Sequence, residues 1–116
     1  MCYHCHVIEL REYLDRNGES PFGDWFRRLD ATAAAKITVA LTRLSQSNFS
    51  NVKGVGEGVY ENRMAYGPGY RVYFGKDGET LVILLCGGTK KKQSQDITNA
   101  KLRWRDYKER KRKGLL

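Results

Sequence analysis

Arg63 and Arg71 stand on either side of Gly67-Pro68-Gly69, in a stretch otherwise rich in Tyr, Val and Phe. The Gly-Pro-Gly run cannot continue a strand while its flanks favour one, so the segment reads as a β-hairpin with an arginine on each arm. Held on rigid strands, two guanidinium groups suit the binding of one anion, a phosphate above all. With residues 67 to 69 as the loop, Tyr66 is expected opposite Tyr70, Met64 opposite Val72 and Arg63 opposite Tyr73. Arg63 and Arg71 then become diagonal neighbours on the face away from the apolar residues. Like charges so placed cost stability unless a ligand or a counter-charge compensates. Lys53 and the run Lys90-Lys91-Lys92 fall at the edge or ends of adjacent strands and enlarge the cationic set. Ordinary surface charge is the competing explanation.

Other chemistries find less support. The only histidines, His4 and His6, lie close together near the N-terminus, which disfavours a pair of histidines acting as acid and base. The chain has no Gly-x-Ser-x-Gly, no Asp/Glu cluster at metal spacing and no phosphate-binding loop. The run from Lys53 to Gly58 has neither the spacing nor the flanks of a dinucleotide fingerprint and reads as a flexible approach to the sheet. Cys2 and Cys5, with the two histidines, resemble half of a zinc site. On a strand, however, the two cysteines point to opposite faces, and the third cysteine, Cys86, sits in an apolar strand. No metal and no other cofactor is expected; Cys86 reads as a small buried thiol that stays reduced.

Positioning such a site requires a sheet and something to back it. Residues 4 to 10 read as a first strand, followed by a less regular connection to Gly18. Ser20-Pro21 is a cap and first-turn pair, and Phe22, Trp25, Phe26 and Leu29 recur at helical spacing over about 21 to 29. Asp30 caps a second helix to about Gln46, with Ala34, Ile37, Leu41 and Leu44 on one face. Strands follow at about 58 to 66, 70 to 76 and 80 to 87, the last two joined at Asp77-Gly78. The unbroken apolar run from Leu81 to Cys86 marks a strand covered on both faces. Ile97, Ala100, Trp104 and Tyr107 then recur every three or four residues in a Lys/Arg-rich background, giving a basic amphipathic helix. The order is β-α-α-β-β-β-α, an α+β fold with a helical hairpin and a largely antiparallel sheet.

A chain of 116 residues fits one domain over 1–116, with a basic tail from about 108. The net charge of +8 is concentrated: residues 90 to 113 hold 11 Lys and Arg against Asp96, Asp106 and Glu109, and the remainder balances. A neutral body with one basic element suits a polyanionic partner, nucleic acid or an acidic protein segment. On the basic helix, Arg103, Arg105, Lys108 and Arg110 are expected to face solvent. With no long apolar run and no secretory leader pattern, no membrane association and a cytoplasmic location are expected.

Beside these readings, the runs Gly54 to Val59, Tyr66 to Phe74 and Leu84 to Lys90, followed by Asp96-Ile97, resemble the HigB-like killer proteins of addiction modules. These belong to the RelE/ParE toxin superfamily, and the likeness extends from about Val7 to Tyr107. It implies the same element order. It also implies a toxin of a type II toxin–antitoxin module, an endoribonuclease that cleaves mRNA on the ribosome without a metal. A cognate helix-turn-helix antitoxin would neutralise it, and operator DNA would be met only through the antitoxin complex. Carried over by position, Arg63, Arg71 and Lys90 are the catalytic candidates. Lys53, Lys91, Lys92, Arg103, Arg105 and Lys108 are the candidates for substrate binding, and Lys90 or Lys53 for the general base. Gln93-Ser94-Gln95 stands where RelE-type nucleases place a tyrosine or histidine, so no general acid is assigned. The alternative is a non-enzymatic ParE-like gyrase inhibitor or a basic nucleic-acid-binding protein.

Overall fold

The computed structural model of the protein describes residues 7–116, so the motif from Cys2 to His6 lies outside the described residues. Strand β1 (Glu9–Glu12) leaves out Val7 and Ile8 of the expected strand and takes in two residues read as connection, while residues 4 to 6 of that expectation lie outside the described residues. Ser20 caps α1 (Pro21–Arg27), its Oγ accepting from the Gly23 N–H at 2.9 Å, and Pro21 fills the first turn, where a missing N–H costs nothing. Asp30 does the same for α2 (Ala31–Ser45), accepting from the Ala33 N–H at 2.8 Å. Two turns apart on one stripe, Ile37 and Leu44 are fully buried.

Four strands follow as an antiparallel meander: β2 (Val52–Gly56), β3 (Val59–Arg63), β4 (Tyr70–Asp77) and β5 (Leu81–Thr89). With β1 running parallel to β5, the sheet order is β1-β5-β4-β3-β2. One strand more than expected is present. The run read as a flexible approach is β2 and its turn, with Val52 and Lys53 paired to Asn62 and Glu61. Glu57 and Gly58, at φ 55° and 82°, form the two-residue connection to β3, a geometry that matches strand twist. Glycines serving this turn and the adjoining bulge hide the strand from a propensity reading.

Period-two alternation sorts the sheet into two packed faces. Val72, Phe74, Val82 and Leu84 meet Phe22, Ile37 and Leu44 of the helical hairpin. Tyr73, Ile83 and Leu85 meet Ala100 and Trp104 of the last helix, α3 (Gln93–Arg112). The expectation that residues 81 to 86 form a strand covered on both sides is met, since Val82 to Cys86 are all buried. Trp104 turns inward and Tyr107 is partly buried, its hydroxyl donating to Asp77 Oδ2 at 2.6 Å. Helix α3 continues through Arg112, so the first residues of the basic tail are helical. Among the described residues no helix is long and apolar enough to cross a membrane.

Candidate active site

The β3–β4 ladder places Arg63 directly opposite Arg71, and Glu61 opposite Tyr73. This register differs by two residues from the expected one, because the loop is longer than residues 67 to 69. The Met64 N–H still donates to the Tyr70 carbonyl at 2.9 Å; beyond it the tip closes as a β-turn, with the Gly69 N–H donating to the Tyr66 carbonyl at 3.1 Å. Gly67 and Gly69 adopt φ of 55° and 75° there, angles that a side chain would strain. Both arginines consequently project to the face on which α3 packs.

Together with Lys53 and Lys90 they line one open cleft of about 420 Å³. Lys53 comes from the edge strand β2. Lys90 opens a 3-10 turn (Lys90–Lys92) directly after β5, and its N–H donates to the Pro68 carbonyl at 3.3 Å, tying the hairpin tip to the end of β5. Arg71 is fixed: its side chain is only 8% exposed, and Nη1 donates to the Gly69 carbonyl at 2.7 Å. Arg63 is half exposed and open to a ligand.

The counter-charge that two facing arginines require is Glu61, a residue the sequence reading missed. Its side chain is fully buried, with Oε2 accepting from Gln93 Nε2 at 2.7 Å and from the Tyr73 hydroxyl at 3.2 Å. Arg71 Nε lies 3.5 Å from Oε2 and Arg63 Nε 3.9 Å from Oε1. Neither Oε1 nor Arg71 Nε has a hydrogen-bond partner among the described residues. Burial, and then the Glu61 charge, push the Tyr73 hydroxyl far above its ordinary range, so it stays a proton donor to Glu61. The signal was local, since Glu61 lies two residues before Arg63 on one strand and therefore on the same face.

Over residues 24–105 the chain matches a family model described as phage-derived protein Gp49-like (DUF891). The chain belongs to this family. Gp49-like proteins are RelE/ParE-like toxins as a family. A relative in Haemophilus influenzae (strain Rd), described only as an uncharacterized protein, is 45% identical over 82 residues, which is 70% of this chain and 83% of that one.

The Gp49-like region holds all four cleft cations and ends at Arg105, leaving Lys108 outside it. Lys91 and Lys92 are exposed on the 3-10 turn, apart from the cleft lining. The expected solvent-facing basic helix is only partly realised. Arg105 is exposed but pairs with Glu57 at 3.0 Å, Lys108 lies 5.7 Å over the Trp104 ring, and Arg103 is partly buried. Arg110 is largely covered, paired with Asp106 at 2.8 Å and packed on the Tyr13 ring.

Two further groups of this Gp49-like chain lie where α3 packs on β5. A Cβ at Gly88 would lie 1.9 Å from Asp96 Oδ2, so the glycine makes room for that carboxylate, whose pKa burial raises against the pull of Lys92 and Arg103. Cys86 is free and buried; burial pushes its thiol up to about 12, which keeps it unreactive at neutral pH.

Proposed function

We propose that this protein is the HigB-like toxin of a type II toxin–antitoxin module, an endoribonuclease that cuts mRNA on the ribosome without a metal. The observation that carries this reading is the convergence of Lys53, Arg63, Arg71 and Lys90, from four different strands or strand ends, on one cleft whose carboxylate is buried beneath the arginines. In the reaction, the 2′-hydroxyl of the RNA attacks the adjacent phosphate and the 5′-oxygen leaves. A 2′,3′-cyclic phosphate and a free 5′-hydroxyl result. Charge builds on the non-bridging oxygens, where positioned guanidinium groups act without reorganising. Glu61, Gln93 and Tyr73 hold Arg71 from behind, while Arg63 closes on the phosphate from the open side. Lys90 or Lys53, in its uncharged amine form, takes the proton of the attacking hydroxyl, and a solvent water supplies the proton that the departing 5′-oxygen needs. Lys91, Lys92, Arg103, Arg105 and Lys108 contribute phosphate contacts to the ribosome and its RNA. A helix-turn-helix antitoxin neutralises the toxin and carries it to operator DNA.

Induced expression in a bacterial host is the test. Growth should arrest with cleavage of translated mRNA, and co-expression of the helix-turn-helix protein from the neighbouring reading frame should restore growth. Arrest with intact mRNA and gyrase-linked DNA breaks would replace this reading with the ParE-like one.

A further inference from the structure

Asn62 and Arg63 are consecutive on β3 and therefore point to opposite faces of the sheet. Arg63 enters the cationic cleft; Asn62 lines a second cavity of about 430 Å³ between α2 and the hairpin. Both cavities include Asn51, Met64 and Ala65 in their walls, so they adjoin around the end of β3. Resting on the nuclease reading, we propose that this second cavity seats one unstacked nucleobase of the RNA whose phosphate occupies the cationic cleft, and that Asn62 reads its edge.

The cavity has the chemistry of a base site. Asn62 lines the cavity at 5% exposure, and its carboxamide makes no hydrogen bond with a described residue, so both its donor and its acceptor are available to a ligand. Asn48 turns its Oδ1 to the Ser50 N–H and hydroxyl, at 3.1 and 2.8 Å, which leaves its NH2 for another partner. Tyr66 supplies an aromatic wall held by stacking on Tyr70, with the Lys36 ammonium 4.7 Å from its ring centroid. A base stacking on Tyr66 would displace only an exposed lysine. On α2, Lys36 and Arg43 are seven residues apart and border the same cavity, placing cations at its mouth for the flanking phosphates. Single-stranded RNA is recognised in this way, by splayed bases stacked on aromatic rings and hydrogen-bonded at their edges.

The test uses 2′-O-methyl tetranucleotides, which cannot undergo the attack, varied one base at a time and followed by fluorescence anisotropy. The parent should prefer one base at one position by roughly tenfold. Asn62→Asp, which replaces the donor half of the amide with an acceptor, should abolish or redirect that preference. Tyr66→Leu, at a more exposed wall that the fold can spare, should weaken every sequence by roughly tenfold through lost stacking. Arg63→Gln should weaken all sequences equally and leave the preference intact. Equal binding of all four bases by the parent, or an unchanged profile in both cavity variants, would overturn the proposal. If the parent cleaves mRNA with such a flat profile, the nuclease stands and the base site falls. Base preference governed by Asn62 in a protein that never cleaves would reverse that outcome.

Discussion

Arg71→Ala should lower the stability of the fold by about 3–5 kcal/mol in addition to silencing the site. From the sequence alone, Arg71→Ala would be expected to abolish growth inhibition while leaving the fold intact. In the fold its side chain is 8% exposed against a Glu61 carboxylate that is fully buried. Truncation leaves that carboxylate with the 3.9 Å contact to half-exposed Arg63 as its nearest cation among the ion pairs. Breaking one side of a buried pair costs far more than the pair contributes. Thermal melting should show a drop in Tm on the order of 10 °C. The double variant Glu61→Gln/Arg71→Ala should recover most of it, because a neutral carboxamide oxygen still accepts from Gln93 and Tyr73 while carrying no charge. A single variant melting within a few degrees of the parent would show that Glu61 does not depend on Arg71.

Arg63→Ala should separate activity from stability. Its side chain is 54% exposed and touches Glu61 at only 3.9 Å, a contact worth about 1 kcal/mol or less at such exposure. The melting temperature should therefore shift by a few degrees at most. Cleavage should nonetheless fall by about a hundredfold, the usual consequence of removing one fixed donor to developing charge. Single-turnover rates on ribosome-bound mRNA measure this, and a rate within threefold of the parent would take Arg63 out of the reaction.

The elements legible in the sequence were those whose signals are local. Ser20-Pro21 and Asp30 announce two helix starts by capping chemistry, and the apolar run at 81 to 86 announces an interior strand. Strand β2 was illegible because its residues also serve a bulge and a turn, so glycine outweighed β propensity. The hairpin register slipped by two because nothing in the sequence shows that Met64 and Ala65 precede a closed turn at 66 to 69. Lys53, Arg63, Arg71 and Lys90 were legible as one cationic set at the edge or ends of adjacent strands. What the sequence did not show is the tie of the Lys90 N–H to the Pro68 carbonyl, which sets Lys90 in the cleft and leaves Lys91 and Lys92 outside its lining. Likewise, the pairing of Arg105 with Glu57 and Lys111 with Asp77 joins residues far apart in sequence, which is why α3 looked more basic than its surface is.

Central to the account is a cleft of fixed cations that drives attack by the RNA's own 2′-hydroxyl. The direct measurement is cleavage of ribosome-bound mRNA by the parent protein in excess EDTA, with and without a single 2′-deoxy substitution at the cut site. Attack by the 2′-hydroxyl should give an undiminished rate in EDTA, ends bearing a 2′,3′-cyclic phosphate and a 5′-hydroxyl, and no cut at the deoxy position. Activity that vanishes in EDTA and returns with a divalent ion, or cleavage of the deoxy strand to leave a 5′-phosphate, would contradict it.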